Sequence, residues 1–242
     1  MPSQKLALVT GANKGIGLEI ARQIAQTGVT VLLGARNPAA GEQAAAMLTG
    51  EGLTVRFLAL DVADPGSVAA AAAILTRDYG HLDILVNNAG INDPDDGPIA
   101  TVSLSAVERV LRTNFLGALA VTQAMLPLLL KAPAGRIVNL SSGLGSLARM
   151  ASPASPSSYT ELIGYSASKA ALNMLTVQLA YQLRDTAIKV NAAAPGFTAT
   201  DMNGRRGHQT IPEGAAEAIS LALLPDAGPT GTFSGSHGVV PW

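Results

Sequence analysis

What most restricts the fold of this chain is the alternation of short apolar runs with helical patterns from one end to the other. The runs LALVT (6–10), VTVLLGA (29–35), VRFLAL (55–60), LDILVN (82–87), GRIVNLSS (135–142) and AIKVNAAA (187–194) are nearly continuous in apolar residues, and GTFSG (231–235) is a weaker seventh. A strand with one wet face alternates apolar and polar residues, whereas parallel strands covered by helices on both faces need not. Helical patterns lie at about 15–41, 65–79, 103–131 and 160–185. The second of these opens on Asp64-Pro65, an N-cap aspartate with proline in the first helical position. This alternation predicts a single α/β domain over residues 1–242, a doubly wound parallel sheet of about seven strands flanked by helices.

Composition agrees and excludes several classes. With 48% hydrophobic and 14% charged residues, the chain can bury a large core. A net charge of −1 gives no electrostatic case for nucleic acid or an anionic membrane. There is no cysteine for a disulfide or thiolate site, and His81, His208 and His237 lack ligand spacing, so no metal is assigned. The N-terminus reads as a strand rather than a targeting segment. The apolar stretch ALAVTQAMLPLLL is broken by Gln123 and Pro127 and falls short of the roughly 20 residues a span requires. A soluble, cytoplasmic protein is expected.

Chemistry enters at the first strand end. Thr10 is followed by GANKGIG and a helix, and glycines in that context allow a pyrophosphate to meet the backbone at a helix N-terminus. The expected cofactor contacts from this turn are Gly11, Asn13, Lys14, Gly15, Ile16 and Gly17. An NAD enzyme wants a carboxylate at the end of the second strand, but Ala35 and Arg36 stand there. Arg36 can grip a 2′-phosphate and Lys14 can add charge, which favours NADPH/NADP+ over NAD(H). Asp61, with Val62 behind it, closes the third strand beside the adenine position. Asn88, Ala89 and Gly90 end the fourth strand, where an asparagine can bridge backbone groups and glycine keeps a path open. Pro195-Gly196 turns the chain after the sixth strand.

Taken in order, TGxxxGxG, Asp61, NNAG, Asn114, NLSS, YSASK and NAAAPGFTAT resemble the short-chain dehydrogenase/reductase family, and within it the NADPH-dependent carbonyl reductases. The resemblance covers essentially the whole chain and implies a Rossmann-type fold with a catalytic tetrad. Tyr165 and Lys169 match its YxxxK pair, Ser142 its serine in preference to Ser141, and Asn114 its asparagine. Tyr159 is set aside as the donor, because Ile163 stands four residues on. The resemblance also places Thr198 and Thr200 near the nicotinamide or the phosphates. Residues four apart share a helix face, so the Lys169 ammonium is expected to lower the tyrosine pKa from near 10. Lys169 would also hold ribose hydroxyls, Ser142 the carbonyl oxygen of the substrate, and Asn114 a water.

The expected function is reversible reduction of a ketone or aldehyde to an alcohol, with a small-molecule carbonyl substrate, no nucleic-acid partner and no membrane. Two alternatives stand: an acyl-carrier-protein-linked 3-oxoacyl reductase, with a basic patch at Arg205 and Arg206, and a non-catalytic NADP(H)-binding sensor. Substrate loops are expected at about 91–98, 143–162 and 197–212, with Leu144, Met150, Tyr159, Leu162, Phe197 and Met202 giving a mostly apolar pocket. The spacing from Ser142 to Tyr165 exceeds the family's usual one. In some carbonyl reductases such an insertion covers an oligomer face, so dimer, tetramer and monomer all stay open.

Overall fold

The structure is a computed structural model that describes residues 4–153 and 161–242. Eight strands form one sheet in the order β3-β2-β1-β4-β5-β6-β7-β8. They are β1 (Leu6–Thr10), β2 (Thr30–Ala35), β3 (Val55–Ala59), β4 (Ile84–Asn87), β5 (Arg136–Leu140), β6 (Lys189–Ala194), β7 (Phe233–Gly235) and β8 (Gly238–Val239). All neighbouring pairs are parallel except β7 with β8, a short antiparallel return absent from the seven-strand expectation.

Strands β1, β2, β4 and β5 are buried on both faces and β6 nearly so, as their apolar runs predicted, whereas the edge strand β3 exposes Arg56 and Ala59 and the last strand β8 is exposed. In β1, Ala7 and Val9 join a core cluster with helices α1 (Gly15–Gln26), α2 (Pro38–Gly50) and α8 (Ile211–Ala222). Leu6 and Leu8 point the other way, to a cluster built with α3 (Pro65–Asp78), α5 (Ala118–Leu129) and α7 (Ile163–Gln182). The remaining helices are α4 (Leu104–Leu111) and the short α6 (Leu147–Met150). Among the described residues no helix is long and apolar enough to cross a membrane.

Three helical expectations need correction. The 15–41 pattern is two helices separated by β2, because Gly28 takes a left-handed φ of +86° and sends the chain into the sheet. The 103–131 pattern is interrupted by a π-helical turn, Arg112–Gly117, whose wider winding holds Asn114. The loop expected at about 197–212 runs into the start of α8, a helix absent from the expected patterns. Thr210 caps that helix in a reciprocal box with Glu213, and Pro212 stands in its first turn.

Strand order reverses between β1 and β4, so the loops leaving their C-terminal ends diverge and leave a cleft, the usual ligand position in such sheets.

Candidate active site

The cleft above β1 and β4 is lined by the turn residues Gly11, Asn13, Lys14, Gly15, Ile16 and Gly17, then by Arg36, Asp61, Val62, Asn88, Ala89 and Gly90. Tyr165, Lys169, Pro195 and Thr200 complete its far end. The turn is held open by its neighbours. Asn88 donates from Nδ2 to the carbonyls of Thr10 (2.8 Å) and Gly11 (3.1 Å), while the Thr10 hydroxyl accepts the backbone N–H of Asn88 and Ala89. A Cβ on Gly17 would collide with the Asn88 amide, and one on Gly11, at φ +64°, would lie 2.9 Å from Ala89 Cα. The cradle therefore admits a backbone-hugging phosphate at the N-terminus of α1, and a dinucleotide fits the donors present.

Two cations of the cleft, Arg36 and Lys14, are in unlike states. Arg36 is exposed and joins no salt bridge among the described residues. Lys14 is paired, its ammonium 2.9 Å from Asp201 across the cleft mouth, with side chains 66% and 51% exposed. The hydrogen bond from Lys14 holds the Asp201 carboxyl below its ordinary value, and Arg205 contacts the same carboxylate at 3.4 Å. The basic patch expected at Arg205 and Arg206 is thus partly neutralised. Asp201 was missed in the sequence, and Arg205 was expected only as part of that patch, because nothing in TDMNGRR announces that it reaches back to residue 14.

At the inner end, α7 presents Tyr165 and Lys169 on one face. The Lys169 ammonium is buried, donates to the Leu140 carbonyl at 2.8 Å and lies 5.6 Å from the Tyr165 ring centroid. Burial lowers its pKa to about 8. The tyrosine departs from expectation: burial raises its pKa, and hydrogen bonding with Ser142 opposes that rise only in part. With Lys169 committed to Leu140, desolvation of the phenolate dominates. The two serines have different environments. Ser141 is buried, with its hydroxyl directed to Asn173, whereas Ser142 opens on a second cavity and meets Tyr165. The Asn114 amide is fully engaged: Nδ2 donates to the Ile91 carbonyl and the Ser168 hydroxyl (both 3.0 Å), and Oδ1 accepts from Ile91 N–H (2.8 Å).

Two other candidates lie outside the cleft. Thr198 is buried, donates to the Pro195 carbonyl at 2.9 Å and packs beneath α8 against Gly214. Gly196 lines the second cavity and carries the Gln209 side chain against its backbone.

That cavity lies on the far side of Ser142. Leu144, Met150 and Phe197 line it, but Met202 belongs to the cofactor cleft, and Leu162 lines neither space. Tyr159 lies outside the described residues. Arg149 lies on the expected loop 143–162 and His208 and Gln209 on 197–212, though none was named there; the strip from Gly235 to Pro241, with His237, was not foreseen, and together they make the wall less apolar than expected. They converge from three distant segments, so no local pattern could reveal them. The loop 91–98, expected to grip substrate, instead ties to the protein body, with Arg109 donating to Asp93 from Nε (2.7 Å) and Nη2 (3.0 Å). Among the described residues no group of His, Asp and Glu is arranged to hold a metal.

A strand–glycine turn–helix cradle beside a Ser–Tyr–Lys cluster defines a dehydrogenase-type site. A family model described as short chain dehydrogenase matches residues 5–210, and the chain belongs to that family. It is 36% identical to carbonyl reductase (NADPH) 1 of Mus musculus, with 99% of both chains covered. Among solved structures, NADPH-bound carbonyl reductase from chicken fatty liver superposes with a TM-score of 0.84 at 31% identity, covering 99% of each chain. Salutaridine reductase from Papaver somniferum gives 0.83 at 29% identity, covering 95% of this chain and 99% of that one. The chain is an oxidoreductase of this family.

Proposed function

We propose that the protein is an NADPH-dependent carbonyl reductase that converts a ketone or aldehyde to the alcohol, and the reverse with NADP+. The observation that carries this reading is the meeting of Ser142 with Tyr165 where the cofactor cleft adjoins the second cavity, with Lys169 one helical turn on. When bound, NADPH supplies the hydride that reduces the carbonyl carbon. Ser142 orients the carbonyl oxygen by donating a hydrogen bond. Tyr165 holds its proton throughout the neutral range, since burial raises its pKa, and gives it to that oxygen. The Lys169 cation stabilises the phenolate left behind. Asn114 keeps the Ile91 strand exit and α7 together, and Arg36 with Lys14 would take the 2′-phosphate. The walls of the second cavity, from the 143–150 and 197–209 loops and the 235–241 strip, suit a carbonyl compound with an apolar body and a hydrogen-bonding group. Action in the cytoplasm belongs to the same reading, as does an assembly of one, two or four copies.

The decisive test is NADPH oxidation across a ketone panel with chiral analysis of the products. Tyr165→Phe should lower kcat on the best ketone by about 10²- to 10⁴-fold, the share general acid catalysis supplies. An undiminished rate would refute the assignment. Arg36→Asp should lower the NADPH-to-NADH ratio of kcat/KM by about tenfold or more, and an unchanged ratio would remove Arg36 from the phosphate site.

A further inference from the structure

We propose that Asp96, on the loop between β4 and α4, is a positioning residue for the reaction: its carboxylate sets the first turn of α7 and thereby the place of the Tyr165 phenol. The inference rests on reading Tyr165 as the proton donor. Helix α7 begins at Ile163, and its N-cap, Leu162, has no side-chain oxygen to satisfy the first backbone N–H groups. Asp96 supplies both acceptors from another part of the chain. Its Oδ1 accepts from Gly164 N–H and its Oδ2 from Tyr165 N–H, each at 2.8 Å. The residue is only 8% exposed, and a carboxylate at a helix N-terminus is favoured by both charge-assisted bonding and the helix dipole.

Gly164 makes the approach feasible. A Cβ there would stand 3.2 Å from each Asp96 oxygen and 3.2 Å from Val107 Cα on α4. Asp96 is itself fixed, since its N–H donates to the Asp93 carbonyl at 3.0 Å, and Asp93 is clamped by Arg109 of α4. The start of the same loop reaches α7 one turn further on, where Asn114 binds Ile91 and the Ser168 hydroxyl. Loop 91–96 is therefore bonded to α7 at Tyr165 and, through Asn114, at Ser168, bracketing the turn that carries Tyr165 and ends beside Lys169. Asp96 lines neither the cleft nor the second cavity, so it can affect the reaction only through the residues it holds.

The test compares the full-length parent with Asp96→Asn and Gly164→Ala, using NADPH and the fastest ketone of the panel, beside Tyr165→Phe. Asp96→Asn opposes one helix N–H with another donor, while Gly164→Ala keeps the carboxylate but pushes it away. Both should lose about ten- to a hundredfold in kcat, the scale expected of a displaced catalytic group. KM for the ketone and the NADPH dissociation constant, read by fluorescence, should stay within about twofold. The solvent deuterium isotope effect on kcat should rise as proton transfer becomes limiting. Parent-like kcat in both variants overturns the proposal. So does a kcat loss matched by an equal loss of NADPH-binding sites and folded protein, which would make Asp96 a stabiliser only. A Tyr165→Phe enzyme as active as the parent would take down the function reading and this one with it. An inactive Tyr165→Phe beside parent-like Asp96→Asn and Gly164→Ala would remove the positioning role alone.

Discussion

The loops 91–98 and 197–209 hold like places in the fold and differ in build. Each follows a strand and reaches the cleft, the first rich in Asp and Pro, the second with one Asp, two Gly and no Pro. The first is bonded inward by Asn114 to Ile91, by Arg109 to Asp93 and by Asp96 to α7. The second is bonded mainly to itself, through Ala199 N–H to the Gln209 carbonyl (2.9 Å) and Gln209 N–H to the Phe197 carbonyl (3.1 Å). Across the cleft it reaches the glycine turn through the exposed Lys14–Asp201 pair. It also holds Arg205 at φ +60°, among the described residues the only non-glycine with a positive φ. Charged oxygens pointing inward make the first loop part of the frame, whereas the exposed Asp201 carboxylate leaves the second a wall at the cleft mouth. Composition reports that a segment is irregular, not where its oxygen atoms are spent.

The largest effect should come from the frame's own buried cation. Lys169 has a pKa depressed by burial to about 8, so its charge is complete below that pH and lost above it. Reductive kcat should therefore fall about tenfold per pH unit above pH 8, reaching roughly a hundredfold by pH 10, in a pH–rate profile at saturating NADPH. A flat profile over that range would separate Lys169 from the frame's chemistry. Next, Asp93→Ala removes the Arg109 clamp and should lower kcat by about tenfold with little change in KM, checked by steady-state kinetics. It should also speed limited proteolysis within 91–98. An equal kinetic effect from an alanine at Asp201 would erase the distinction between the loops. The smallest effect belongs to the wall. Asp201→Asn frees Lys14 and should tighten NADP+ binding by about two- to fivefold at low salt, the scale of an exposed pair, while NAD+ binding stays as it was. Calorimetry at high salt should show that gain shrink.

Legibility in the sequence followed the same division. GANKGIG and YSASK were readable because each packs its working groups into a few consecutive positions, and fixed backbone geometry does the rest. The parallel sheet was readable because burial on both faces leaves an apolar run. The wall of the second cavity was not, since Arg149, His208 and His237 meet only after β6, β7 and α6 have docked. Helix α8 carried a legible signal in Thr210, Pro212 and Glu213, which the preceding Gly and Asn residues masked. The raised pKa of Tyr165 was out of reach, because it depends on how deeply the folded chain buries the phenol rather than on the four-residue spacing.

The contact between Asp96 and Gly164 has a consequence for anyone who would re-engineer this scaffold. Loop 91–98 is not an interchangeable cassette. A transplanted loop lacking the carboxylate would arrive at an uncapped helix, and a recipient with a side chain at position 164 would crowd the carboxylate at about 3.2 Å and push it off the helix N–H groups. The two positions can be inherited or exchanged only as a couple, so diversity libraries aimed at new substrates belong at cavity-lining positions such as Phe197, His208 and His237, which lie outside the Asp96–α7 contact.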